Sequence, residues 1–265
     1  MIDKRVILQL FILLFTFIEL TANELKVLFL IPACDNEPIW IEHQHVWRTY
    51  MHSDPEHVTA YFMKGNPNLA LPYQIDKDII WCKCEESYIP GIINKTILSM
   101  ECLLPIIDQF DYVVRVSSSS FYHFPRLLSY LSNLPKERCY RGVIGFLPEH
   151  GEYVSGSGTI FTPDLIKLAV QFKDEIKRSF IDDDVALGIF FREHGIFPVS
   201  APREDLIDME DWNRKKETTP HFHFRIHNSP SHVRVDQDLP VYIDLLRKFY
   251  GMEIQRSVTH PSSDP

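Results

Sequence analysis

The sequence predicts an α/β fold, a mostly parallel sheet with helices on both faces. Three observations point there. Short apolar runs recur along the first half of the chain, each closed by a polar or Gly/Asn turn. Longer segments with apolar residues at helical spacing lie between them. The two kinds alternate, which is the order that builds parallel strand pairs bridged by helices.

The elements follow in order. "KVLFLIPA" (26–33) is apolar without a break and ends at "CDNEP", as a strand buried on both faces does. "IWIEHQHVWRTYMH" (39–52) carries helical spacing, and "VTAYFMKGN" (58–66) is a second strand ending in a Gly-Asn turn. "DIIWCKC" (78–84) is a third strand, with Cys82 and Cys84 on one of its faces. "IPGIINKTILSMECLLPIIDQF" (89–110) reads as a helix with Pro90 near its first turn and a break at Pro105. "YVVRV" (112–116) is a fourth strand. "FPRLLSYLSNL" (124–134) is a helix opened by Pro125, and "YRGVIGF" (140–146) is strand-like. "TPDLIKLAVQFKDEI" (162–176) is a helix with Thr162 as N-cap and Pro163 at its first position. "DDDVALGIFFREHG" (182–195) is a helix with acids at its start and Gly195 as its stop.

The chain has 265 residues, 45% of them hydrophobic, enough for one large domain over 25–252. A polar tail with two prolines follows (253–265). The net charge of −9 argues against nucleic acid as a partner, because phosphate binding needs a basic face. The five cysteines form no metal-type C-x-x-C pair, and an odd count does not read as a disulfide framework, so free, mostly buried thiols are expected. At the N-terminus, Lys4 and Arg5 precede an apolar run over residues 6–18. Thirteen residues fall short of the ~20 that a membrane span needs. The length suits a signal-peptide core with a cleavage site after Ala22, and next a short membrane anchor. Residues 1–24 are therefore set apart from the fold, with membrane association or a secretory (Golgi- or ER-like) location expected.

Several chemistries lack their motifs. There is no G-x-x-x-x-G-K-[ST] phosphate loop, no G-x-G-x-x-G after the first strand and no H-E-x-x-H. "YVSGSGTIF" (153–161) fails G-x-S-x-G, since Tyr precedes Ser155 at −2 and Ser and Thr flank Ser157.

What remains is a series in fixed order: "HQHVWRTYM" (43–51), "VTAYFMKGN" (58–66), "DIIWCKCEESYIPGIINKTILSM" (78–100), "DYVVRVSSSSFYHFPRLLSYL" (111–131), "YVSGSGTIFTPDLIKL" (153–168) and "DDDVALGIFF" (182–191). Over roughly residues 26–228 this resembles the GT-A glycosyltransferases of the β-1,3-galactosyltransferase/Fringe type. The resemblance implies a GT-A fold and an inverting enzyme. Such an enzyme moves a sugar from a nucleotide-sugar to a glycan, glycoprotein or glycolipid acceptor.

One departure stands out. Where that family has three acids holding a divalent metal, this chain has Ser117, Ser118 and Ser119, followed by Ser120. Hydroxyls hold Mg²⁺ or Mn²⁺ poorly without carboxylates beside them. Either the protein is an inactive binding or scaffold domain, or it neutralises the diphosphate without the usual metal. Arginine suits the second course, because its fork bonds two oxygens. "HFHFRIHNSPSHVR" (221–234) supplies Arg225, with His227 as a helper, to replace the metal, while the four serines present hydroxyls and amides to ribose or phosphate. The plainer reading of this stretch is a strand with a polar outer face; a third is an Mn²⁺ site at His221 and His223.

By the same resemblance, the base that takes the acceptor's proton is Asp183 or Asp184, with Val185 and Gly188 completing the match. Acids here would also favour the helix dipole, by about 0.3–1 kcal/mol each. Tyr153, Ser155, Gly156 and Gly158 form a tight turn toward the sugar or the acceptor. Arg115, inside a strand, takes a buried pairing or pocket role. Lys95 is placed as a solvated helix residue.

Overall fold

The computed structural model describes residues 25–176, 181–226 and 233–255. Residues 1–24, expected as a signal peptide or short anchor, His227, His232 and nearly all of the polar tail lie outside the described residues. Among the described residues no helix is long and apolar enough to cross a membrane.

An eight-stranded sheet forms the centre, in the order β11-β7-β10-β5-β1-β2-β4-β3. Its middle is the parallel run β5 (Tyr112–Val116), β1 (Val27–Pro32), β2 (Val58–Gly65) and β4 (Ile79–Cys82). β3 (Tyr73–Asp76) closes one edge antiparallel to β4. On the other side β10 (Gly158–Phe161) runs antiparallel to both β5 and β7 (Tyr140–Gly142), and β11 (Val199–Ser200) lies parallel to β7. The sheet is therefore mostly parallel with antiparallel additions.

Period-2 alternation along β1 decides the layers. Val27, Phe29 and Ile31 join one buried cluster with Trp47 and Tyr50 of α1 (Pro38–Tyr50) and Tyr242, Leu245 and Leu246 of α7 (Arg234–Tyr250). Leu28 and Leu30 join the opposite cluster with α2 (Gly91–Leu103), α4 (Pro163–Gln171) and α5 (Asp183–Glu193). Helices thus cover both faces, as the buried run in β1 requires. α3 (Phe124–Leu131) and α6 (Met209–Lys215) complete the helical set among the described residues.

A second, three-stranded sheet matters more for function. β6 (Ser120–Tyr122) pairs antiparallel with β13 (His223–Ile226), which lies parallel to β12 (Glu204–Leu206). It ties the serine loop to the last third of the chain. β8 (Ile144–Leu147) and β9 (Gly151–Val154) form a separate hairpin.

Some expectations shift. The segment 140–146 is two strands in different sheets, broken at Val143. The helix expected over 89–110 stops at Leu103, and a 3-10 segment (Leu104–Gln109) with Pro105 in its first turn follows, because proline cannot supply an N–H to the α-helical ladder. Cys84 lies beyond β4 and does not share the strand with Cys82. Thr162 stands at the N-cap of α4, yet its hydroxyl accepts the Cys139 N–H at 3.0 Å and makes no cap bond. All five cysteines are free thiols; Cys82 and Cys139 are buried and the other three half-buried.

Candidate active site

A cavity of about 420 Å³ opens at the carboxyl ends of β1, β4 and β5, where open α/β sheets place their ligands. Its wall combines the loop after β1 (Ala33, Cys34, Asn36), Trp40 of α1 and the β4–α2 loop with Glu86 and Tyr88. Arg115, Ser117 and Ser118 come from β5 and its exit, and Ser155, Gly156 and Ser157 from the turn after β9. Asp183 and Asp184 head α5, and Arg225 stands on β13. Eight of the residues singled out in the sequence therefore meet around one space, from four separate stretches of chain.

Arg115 points out of β5 toward the head of α5. Its guanidinium pairs with the Asp183 carboxylate and donates to the Gly156 carbonyl, and both side chains are nearly buried. A buried pair of this kind organises a site more than it stabilises a fold, because desolvation offsets most of the attraction. Burial pushes the Asp183 carboxyl up to about 6; Arg115 draws it down against that, while Asp184 and Asp182 push it further up. Asp184 is differently placed. Its Oδ2 accepts the Gly156 N–H at 2.8 Å and its Oδ1 the Val185 N–H at 2.9 Å, so both oxygens are held by backbone.

Gly156 is where these groups converge. A Cβ there would strike the Arg115 guanidinium and crowd Asp184, so only glycine lets the turn approach this closely. Gly158 permits a similar approach two residues on, where a Cβ would meet the His223 ring and the Tyr122 hydroxyl. Neither Gly158 nor Tyr153, both expected to meet the sugar or acceptor, lines the cavity; Tyr153 stands on β9 with its ring against Gly145 and its Cβ against Gly188 of α5.

The serine loop splits into two roles. Ser117 and Ser118 line the cavity. Ser119 bonds the Ser117 hydroxyl at 2.8 Å. Ser120 is fully buried, donating to the Ser157 carbonyl at 2.7 Å and sharing a hydrogen bond with His223 Nε2 at 3.1 Å. Ser119 and Ser120 thus brace the wall from behind.

Arg225 reaches the same cavity from β13, whose backbone is fixed to the serine loop: Ile226 N–H donates to the Ser119 carbonyl at 3.2 Å. Its guanidinium has no ion pair or hydrogen bond among the described residues, and its Nε is buried without a partner. Burial and the neighbouring Arg203 both lower its pKa, with Asp205 opposing them. A desolvated cation next to a like charge is costly to leave uncompensated, and an anionic ligand would offset that cost.

His221 and His223 do not face a common point. His221 Nδ1 lies 3.1 Å from Glu204, while His223 is buried and stacked on Tyr122, burial holding it far below the usual histidine range. Among the described residues no group of three or more His, Cys, Asp or Glu stands together as a metal site.

Lys95 corrects the expectation of a solvated helix residue. It is 2% exposed, lines the cavity, donates to the Ala33 carbonyl at 3.1 Å and pairs with Glu86. Glu86 in turn accepts the Gly65 N–H at 2.7 Å. The apolar stripe of Ile93, Ile97 and Met100 gave no sign of this, because Lys95 lies on another face of the helix, four residues from Gly91 and from Ser99, and that face is buried too. Tyr88, Trp40, Cys34 and Asn36 were also missed. Each sits in or just after a loop leaving the carboxyl end of a strand, the position that marks such sites in general. Tyr88 is 66% exposed, and its phenol is pushed up to about 12 by partial burial and by the acids at the head of α5.

No family model matches the chain, and no curated protein matches it. Among solved structures it is similar to a glycosyltransferase involved in the glycosylation of the major capsid of PBCV-1. The two superpose with a TM-score of 0.50 at 6% identity, over 82% of this chain and 99% of that one. The likeness is one of architecture: the chain has an α/β fold of the glycosyltransferase GT-A kind.

Proposed function

We propose that the protein is an inverting glycosyltransferase. It takes a sugar from a nucleotide-diphospho-sugar and passes it to a hydroxyl of a glycan, glycoprotein or glycolipid. The observation that carries this reading is the Arg225 guanidinium on the cavity wall beside the serine loop, unpaired among the described residues. A diphosphate is the kind of ligand that would satisfy it, through charge-assisted bonds to two oxygens.

The metal of the resembled family does not suit the residues present. The loop offers serine hydroxyls, two of them bonded to each other, and faces an arginine. The carboxylates in the cavity lie at the head of α5, engaged with Arg115 and with backbone amides. Hard divalent cations prefer charged oxygen, so charge neutralisation is assigned to Arg225. His227, expected as its helper, lies outside the described residues.

In the reaction the acceptor oxygen attacks the anomeric carbon, the bond from that carbon to the phosphate oxygen breaks, and the nucleoside diphosphate leaves. The acceptor's proton passes to a carboxylate. Asp183 is favoured for this, because both oxygens of Asp184 already accept backbone N–H groups. Burial sets the Asp183 carboxyl in the range useful for a base near neutral pH. Arg115 holds Asp183 in place, and Asp184 holds the Gly156 turn.

A second reading, a binding or scaffold domain, is favoured by the ion pair that occupies Asp183 and by the serines themselves. Transfer and donor hydrolysis assayed across UDP- and GDP-sugars, with and without EDTA, separate the two. Turnover that survives EDTA supports the enzyme. Nucleotide binding without turnover supports the scaffold. Turnover lost to EDTA and restored by Mn²⁺ overturns the arginine assignment.

A further inference from the structure

Ser118 lines the cavity at the exit of β5 and is 8% exposed. Its backbone is fixed, since its carbonyl accepts the Trp47 indole N–H at 3.1 Å. Behind it stands His43 of α1, wholly buried, with Nδ1 3.5 Å from the Ser118 Oγ. The other ring nitrogen, Nε2, lies 3.9 Å from Oδ2 of Asp238, which is also wholly buried. That carboxylate takes the Arg234 Nε–H at 2.6 Å. Trp40 and Tyr242 meet the imidazole ring edge-on at 5.5 and 5.1 Å, which fixes its plane.

The two sides of the ring are not equivalent. A lone pair on Nε2 would face a carboxylate oxygen, whereas an N–H there faces it favourably. Burial and the Arg234 charge keep the ring neutral, so it carries a single proton. With that proton on Nε2, Nδ1 is an acceptor, and the Ser118 hydroxyl is the group placed to donate to it.

We infer that His43 holds the Nε2–H tautomer, draws the Ser118 proton inward, and so makes Ser118 a pure acceptor toward the cavity, fitted to a sugar hydroxyl of the donor. Phosphate oxygens have no proton to give and go to Arg225; a hydroxyl does. That hydroxyl belongs either to the ribose of the nucleotide or to the transferred sugar. His43 is thus a positioning residue, and the inference rests on the nucleotide-sugar reading above.

Two measurements test it. The first needs no ligand: two-bond ¹⁵N–¹H spectra of the full chain labelled at histidine. The His43 signal is identified by its loss in His43→Phe or, where that variant does not fold, by its displacement in Ser118→Ala. The expected pattern is a neutral Nε2–H ring at neutral pH; an Nδ1–H ring or an imidazolium overturns the inference. The second measures binding of UDP, GDP, their 2′-deoxy and 3′-deoxy forms, and UDP- and GDP-sugars lacking single hydroxyls. Ser118→Ala should weaken the parent ligand about fivefold to tenfold and leave one deoxy ligand unchanged. A deoxyribose ligand in that place assigns the ribose; a deoxy-sugar assigns the transferred sugar. Equal weakening of every ligand overturns the inference alone. Failure of the wild type to bind any of these nucleotides sinks the donor reading and this inference with it.

Discussion

Arg225 is the cross-strand partner of Ser120, so the cation facing the cavity is set in register with the serine loop by the β6–β13 ladder. The relation lives in the backbone. It joins segments far apart in sequence, and it fixes the guanidinium without using any of its own hydrogen bonds.

Removing that guanidinium separates binding from stability. Arg225→Ala should lower nucleoside diphosphate affinity about tenfold to a hundredfold, the value of one or two hydrogen bonds to a charged group. No partner among the described residues is orphaned by the change, so the melting temperature should hold or rise. Titration calorimetry with UDP and GDP, alongside a thermal melt, reads both. Unchanged affinity would remove the charge assigned to this residue.

The Asp183 carboxyl predicts a pH dependence. As a base it acts only when ionised, so kcat/KM should rise with pH through about 6. Stability moves the other way. The folded value lies above that of the unfolded chain, so this group's contribution is present in acid and is lost as pH climbs from the ordinary carboxylate range to about 6. Asp183→Asn should abolish transfer and flatten that portion of the stability curve. A pH–rate profile with no acid limb, or a fully active Asp183→Asn enzyme, moves the base elsewhere.

Gly156→Ala tests the convergence at the turn. The added methyl would displace Arg115 from the Gly156 carbonyl and disturb the Asp183 pair. Transfer should fall well over tenfold, while overpacking costs about 1–3 kcal/mol of stability. Each kcal/mol lowers the melting temperature by about 2–4 °C at this size. A variant with normal kinetics would show that the close approach serves packing only.

Lys95→Met should destabilise the fold by about 1–3 kcal/mol, because it leaves the half-buried Glu86 carboxylate and the Ala33 carbonyl without their donor. Lys95→Met with Glu86→Gln should recover some of the loss. Urea midpoints of the two variants measure the coupling.

How much of this was legible in the sequence follows from how local each signal is. "YVVRV" is a strand at the bounds read from it, because a buried run between polar breaks needs no partner to be recognised. The acids before "VALG" open α5 as expected, and Gly195 ends it with a positive φ of 69°. Arg225 was visible as a cation in an alternating strand. Long-range pairing was not. Arg115 meeting Asp183 and His43 backing Ser118 each join residues brought together only by the sheet order. The break at Val143 was hidden because a strand that changes sheets keeps its apolar character while its neighbours change.

The three-stranded sheet has a consequence for biosynthesis. β6 emerges from the ribosome early, and its partner β13 only after the whole central sheet has been made. Tyr250, farther on still, donates its hydroxyl proton to the Tyr122 carbonyl at 2.8 Å. A nascent chain therefore holds Asp183 and the serines before it holds the arginine that faces them, and nucleotide affinity should switch on only as translation passes the final helix.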